Sequence, residues 1–204
     1  MQSSIQRIGV IGLGHMGSDY ASNLMADGFQ IKVYDRNEKH TDPLVARGAT
    51  AAAGPGDLAG CEAVLTSLPD DDALADVTLR DEGLVHVLGR GAIHVSMSTV
   101  SPGLSRRLAH QHELAGQGYV AAPVLGNPDL AEARKLFVIV AGASPAVARV
   151  SPVLDRLGQR LFFLGEDPGA ANLMKVAANA RAALTPAARN DHPTGTQRSS
   201  AGPS

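Results

Sequence analysis

Cysteine is all but missing from this chain of 204 residues. Cys61 stands alone, so no disulfide can close within the chain, and the pattern is that of a reduced, cytoplasmic protein. The thiol reads as inert packing, because GCEAV offers none of the positive surroundings that activate a thiolate. Net charge is nearly absent too. Eighteen Lys and Arg against 20 Asp and Glu leave −2, with the basic residues scattered, which gives no footprint for nucleic acid or an anionic membrane. No apolar run reaches the 18 or so residues that a bilayer crossing needs. The apolar stretch after Arg7 is broken by glycines within a few residues and reads as a strand and a turn, not a leader. No metal site is expected. Asp70, Asp71 and Asp72 have no His or Cys cluster beside them, and His110 and His112, two apart on a helix, point in different directions.

What is present is an alternation of short β-branched runs with longer Ala- and Leu-rich helical patterns. The runs are IGVIG at 8–12, IKVY at 31–34, EAVLTSL at 62–68, AIHVSM at 92–97, YVAAPV at 119–124, LFVIVAG at 136–142 and RLFFLG at 160–165. Continuous hydrophobicity marks strands buried on both faces, and the rhythm predicts an α/β fold with a doubly wound, mostly parallel sheet. The helix ends are also legible. Gly28 closes the first helix, Asp70 caps the one that follows it, and Ser101 with Pro102 opens another that ends at Gly116 or Gly118.

Gly12, Leu13, Gly14, His15, Met16 and Gly17 spell G-x-G-x-x-G directly after the first strand and at the mouth of a helix. The first glycine suits a tight turn, the second lets a diphosphate approach the backbone, and the third lets helix and strand pack closely. His15 falls inside the turn, with its side chain expected to point away from the phosphates. About 20 residues on, at the end of the next strand, an acid is expected for the adenosine ribose, and Asp35 stands there. Its carboxylate repels a 2′-phosphate, whereas adjacent Arg36 can attract one or stack on adenine, so the pair leaves NAD and NADP both open. A Rossmann-type domain binding one of these cofactors follows.

Five motifs in order then resemble the β-hydroxyacid dehydrogenase family, which includes 3-hydroxyisobutyrate and 6-phosphogluconate dehydrogenases. They are GLGHMG with SNL at 22–24, SLP at 67–69, SMSTVSP at 96–102, AAPVLG at 121–126 and GAANLMKVAAN at 169–179, so the resemblance covers residues 5–183. It implies a hydride transfer between nicotinamide and a hydroxy acid or a related carbonyl or imine. By the same resemblance Lys175 is the general acid or base at the substrate oxygen and Asn179 positions the substrate. Met16, Leu68, Pro69 and Thr99 border the cofactor, while Ser98, Val124, Leu125 and Gly126 face the substrate, with Thr99 shared between the two. The residues themselves agree in part. Positions i and i+4 lie on one helix face, and Leu173, Met174, Val176 and Ala177 are expected to desolvate the lysine between them.

The chain also departs from the family pattern. Ala121, Leu125 and Asn127 replace the acid, serine and second glycine of the D-A-P-V-S-G-G substrate loop, and Ser96 stands where an aspartate is common. Fewer donors argue against a small carboxylate substrate. Beyond Leu184 there is no Val, Ile, Leu or Phe, and Pro186 interrupts the helix. The expected organisation is a cofactor-binding domain at 1–166, the first turns of the family's helical domain at 167–184, and a disordered tail at 185–204. Family members are homo-oligomers, and the oligomerising domain is expected to be missing here. Two functions remain open: an oxidoreductase acting on a small molecule, or a truncated dinucleotide-binding module without turnover.

Overall fold

The computed structural model describes residues 5–184; the expected tail at 185–204 lies outside them. In chain order the elements are β1 (Arg7–Ile11), α1 (His15–Ala26), β2 (Gln30–Tyr34), α2 (Asp42–Val45), β3 (Thr50–Ala51), β4 (Ala63–Thr66) and α3 (Asp71–Leu79). Next come α4 (Leu84–Val87), β5 (Ile93–Ser96), α5 (Pro102–Leu114), β6 (Gly118–Ala121), β7 (Val124–Leu125) and α6 (Pro128–Glu132). The last are β8 (Leu136–Gly142), α7 (Ser144–Leu154), β9 (Gly158–Phe163) and α8 (Pro168–Leu184).

The strands form one mostly parallel sheet in the order β3-β2-β1-β4-β5-β6-β8. β8 and β9 lie parallel to each other and run against the rest, with β8 pairing antiparallel with both β6 and β7. YVAAPV, expected as one strand, divides into β6 and β7. The backbone between them stays tied to β8, since Ile139 donates its N–H to the Pro123 carbonyl, and proline itself has no N–H for the ladder. Thr50–Ala51 adds a two-residue edge strand that hydrophobic pattern does not reveal.

Successive residues of each strand serve opposite faces. Ile8, Val10, Leu65, Val95, Val120 and Val138 pack with Leu24 of α1 and Val150 and Leu154 of α7. Across the sheet, Val64 meets Val77 and Leu84, while Tyr119, Ala121 and Ile139 meet Leu104 and Leu108 of α5 and Ala171 of α8. Cys61 is buried in this second layer, and burial pushes its thiol above the usual range. The helix ends are capped as the sequence predicts. Asp70 accepts from Ala73 N, Ser101 accepts from Leu104 N, and Gly28 adopts a positive φ after α1. Gly116, with φ of 71°, makes the turn after α5, and Gly118 begins β6.

Topology decides where a ligand can sit. From β1 the chain crosses to β2 on one side and later returns to β4 on the other, so β1 and β4 flank the point where winding reverses. The loops leaving their carboxyl ends diverge there and leave a crevice.

Candidate functional site

The crevice is built first from glycines. Gly12 has φ of 84°, and a β-carbon on it would run into the Ser67 carbonyl oxygen; one on Gly17 would be driven into the Gly12 carbonyl oxygen. These two positions are therefore fixed by packing. Gly14 differs, because a β-carbon there meets nothing within 4 Å and the backbone is ordinary, with φ of −62°. It faces open space at the N-terminus of α1, where no side chain caps the helix and the first turn carries no carboxylate. That end of the helix presents amide N–H groups and an unopposed positive dipole.

At the far end of the groove Asp35 is already engaged. It accepts from Leu13 N at 2.7 Å and Asn37 N at 2.8 Å, and its Oδ1 lies 3.2 Å from His40 Nδ1. Burial opposes its ionisation, yet the two amides and His40 prevail and hold its carboxyl below the ordinary value. Asp35 thus anchors the glycine turn to the end of β2. Arg36 and His40 line the same groove of about 880 Å3, together with His15, Leu68, Pro69 and Asp72. His15, expected to point away, also lines a second hollow beside the turn, with Asp19 and His40.

A further cleft of about 320 Å3 continues from the groove, and Met16, Ser67, Leu68, Pro69 and Pro128 line both. Ser98, Thr99, Val124, Gly126 and Lys175 complete it. Ser98 is buried. Its hydroxyl accepts from Leu68 N at 2.8 Å and approaches the Thr66 carbonyl at 3.4 Å, so it ties the loop after β5 to the loop after β4. Lys175 is half-buried, and burial lowers its pKa. That burial comes from the cleft and not from the neighbours expected to supply it. Leu173, Met174 and Val176 are exposed, whereas Ala171 and Asn172 are buried against the domain. Asn179 is exposed and is not among the cleft residues, and Leu125 packs toward the α5 layer instead.

Two supports of the cleft lie outside the site residues singled out from the sequence. Asn172 is fully buried, donates to Ser105 Oγ at 2.6 Å and accepts from Val100 N at 3.2 Å. Arg106 holds Asp167 through two bonds of 2.9 and 2.7 Å, fixing where α8 starts. The signal for Asn172 was its place inside GAANLMKVAAN, three residues before Lys175.

The arrangement fits a nicotinamide dinucleotide. Backbone donors suit the diphosphate, a carboxylate and a guanidinium stand at the ribose end, and an amine stands in the adjoining cleft. Known proteins agree. The chain is 42% identical to the uncharacterized oxidoreductase YfjR of Bacillus subtilis over 85% of its own length and 61% of the relative's. It is 32% identical to an NAD-dependent L-serine dehydrogenase of Pseudomonas aeruginosa, over 86% and 59%. Among solved structures it superposes on the imine reductase of Streptomyces aurantiacus with a TM-score of 0.79 and 30% identity, covering 88% of this chain and 64% of that one. The chain therefore spans about three fifths of the length of the curated relatives it matches. The family match runs over residues 7–165, from the first residue of β1 to just past β9, and by it this chain belongs to the family of the NAD binding domain of 6-phosphogluconate dehydrogenase.

Proposed function

We propose that this chain is the cofactor half of an NAD(P)-dependent oxidoreductase acting on a small hydroxy acid, or on a related carbonyl or imine. The observation that carries this reading is the continuity of the two clefts. A groove with amide donors at one end runs past Met16, Leu68 and Pro69 into a cleft that holds the amine of Lys175. A bound nicotinamide supplies or accepts the hydride. The amide end of α1 binds the diphosphate, and the Ser98-braced loops set the walls on which the ring rests. Lys175 holds or releases a proton at the substrate oxygen or nitrogen, and its burial favours release. Asn179 positions the substrate once further protein covers the outer face of α8. A division near residue 166, with helical structure added beyond it, and a cytoplasmic location belong to the same reading. Among the described residues no helix is long and apolar enough to cross a membrane.

A relative that acts on L-serine and a structural neighbour that reduces imines support amino-bearing or imine substrates beside hydroxy acids. A second reading, a dinucleotide-binding module without turnover, is favoured by the exposure of Leu173, Met174 and Val176 around the lysine. Titration with NADH and NADPH by nicotinamide fluorescence, followed by turnover assays on hydroxy acids, L-serine and cyclic imines, separates the two. Binding with turnover that Lys175→Ala abolishes supports the enzyme. Binding without turnover supports the module, and no binding of either cofactor overturns both.

A further inference from the structure

The three carboxylates at the start of α3 have three different tasks. Asp70 caps the helix by accepting from Ala73 N at 2.8 Å, and Asp72 lines the groove. Asp71, half-buried, turns to the neighbouring loop. Its Oδ1 accepts from Ser101 N at 2.8 Å and its Oδ2 from the Ser101 hydroxyl, so both oxygens are engaged by the residue that caps α5. The Ser98 hydroxyl makes a matching tie, accepting from Leu68 N at 2.8 Å. The stretches 68–71 and 98–101 are thus joined at both ends. Leu68, Pro69, Ser98 and Thr99 line the cleft that holds Lys175. Thr99 is exposed in the middle of its stretch, while Val100 beside it is buried with its N–H held by Asn172.

We infer that Asp71 is a positioning residue for the nicotinamide end of the cofactor: by holding Ser101 it fixes the separation of the Leu68–Pro69 wall from the Ser98–Thr99 wall. This rests on the dinucleotide-binding reading above. One hydrogen bond between two loops fixes a point and leaves rotation about it. A second tie, three positions along each loop, removes that freedom, and a carboxylate that accepts two bonds is a stronger tether than a neutral group. Asp71 lines neither the groove nor the cleft, so its influence passes through the loops it joins. The diphosphate end is built separately, by the N-terminus of α1 and the turn anchored on Asp35. Loss of the tether is therefore felt at the ring and not at the phosphates.

The test compares NADH with ADP-ribose, which carries the same diphosphate and adenosine but no nicotinamide, by calorimetric titration of the whole chain. In Asp71→Ala we expect NADH to bind about fivefold more weakly, as for the loss of about one hydrogen bond, with the ADP-ribose constant unchanged. Asp71→Asn removes the charge yet keeps an oxygen for the Ser101 N–H, and it restores NADH affinity to near the wild-type value. Ser101→Ala removes one of the two bonds and shifts the ratio of the two constants the same way by a smaller factor; it carries the test if Asp71→Ala does not fold. A tie that serves stability alone weakens both ligands together. That outcome, or a wild-type ratio in the variant that carries the test, overturns the inference while leaving dinucleotide binding intact. An Asp71→Asn protein as weak as Asp71→Ala also overturns it, because the effect would then belong to the charge. Failure of the wild-type chain to bind either ligand overturns the underlying reading instead.

Discussion

Asn172 Nδ2 donates to Ser105 Oγ at 2.6 Å, joining α8 to α5 one turn ahead of Lys175. The same side chain accepts from Val100 N at 3.2 Å, and Ser105 in turn lies 3.2 Å from the Tyr119 hydroxyl. A single buried amide thus fixes the height of the lysine-bearing helix and the end of the loop that carries Ser98 and Thr99.

Replacing Asn172 by Ala leaves the Val100 N–H buried without its partner and opens a gap between α5 and α8. A loss of about 1 to 3 kcal/mol follows from stranding such a group. In urea the unfolding midpoint of Asn172→Ala is expected to fall while the slope of the transition stays that of the wild type. An unchanged midpoint would mean that the amide does not hold the two helices together.

The glycines of the turn separate stability from binding. Gly17→Ala forces a β-carbon into the Gly12 carbonyl, so it is expected to unfold at clearly lower temperature and to lose dinucleotide binding as a consequence. Gly14→Ala has space and an allowed backbone, so its melting temperature should match the wild type. Its methyl group nevertheless stands where a diphosphate must approach, and NADH affinity should fall about tenfold or more, the loss of roughly 1.4 kcal/mol of contact. Wild-type affinity in Gly14→Ala would place the phosphates elsewhere.

Much of this was legible in the sequence, for a physical reason. The glycine spacing, Asp35, and the caps at Asp70 and Ser101 are local features, set by residues a few positions apart or by the fixed length of one strand and helix. The relations that pattern missed are non-local. Nothing near Asn172 names Ser105 as its partner 67 positions away, and nothing near His112 names His94. The burial of Lys175 was foreseen from the wrong source, since apolar neighbours in sequence say nothing of which side of a helix is covered. His40 escaped notice because its meaning lies in the approach of its ring to Asp35 across a turn.

Lys175 gives a chemical handle that needs no turnover. Burial disfavours its charged form, so near neutral pH a larger share of it is the free amine than for an ordinary lysine. An amine-acylating reagent at limiting dose should therefore mark Lys175 ahead of Lys32, Lys39 and Lys135, and saturating NADH should slow that mark selectively. Peptide mass spectrometry reads both effects. Equal labelling of all four residues, or no protection by NADH, would remove the amine from the cleft's chemistry.

The last prediction concerns a buried relay under the sheet. Thr66 Oγ1 lies 2.9 Å from His94 Nε2, His94 Nδ1 lies 2.9 Å from His112 Nε2, and His112 Nδ1 lies 2.6 Å from Gln117 Oε1. Gln117 spends its amide hydrogens on the Val85 and Leu88 carbonyls, so its oxygen must accept and His112 Nδ1 must donate. The direction then propagates, with His94 Nδ1–H donating to His112 and Thr66 donating to His94, and both rings are neutral and fully bonded. An added proton has no acceptor to meet. Burial, with His112 beside it, holds His94 far below its ordinary 6.5, and burial lowers His112 to about 4 although Gln117 opposes the shift. The unfolded chain takes up protons near pH 6.5 that the folded chain refuses, so stability is complete above that value and declines as the pH drops toward 4. With two imidazoles the slope is about 2.7 kcal/mol per pH unit at its steepest, twice the roughly 1.4 of one proton. Thermal unfolding between pH 7 and pH 5 should show a marked fall in midpoint, and the double substitution His94→Phe with His112→Leu should flatten it even if its starting stability is lower. A wild-type midpoint that stays level over this interval would mean that the relay accepts a proton without cost, and the neutral, one-way arrangement of the two rings would be wrong.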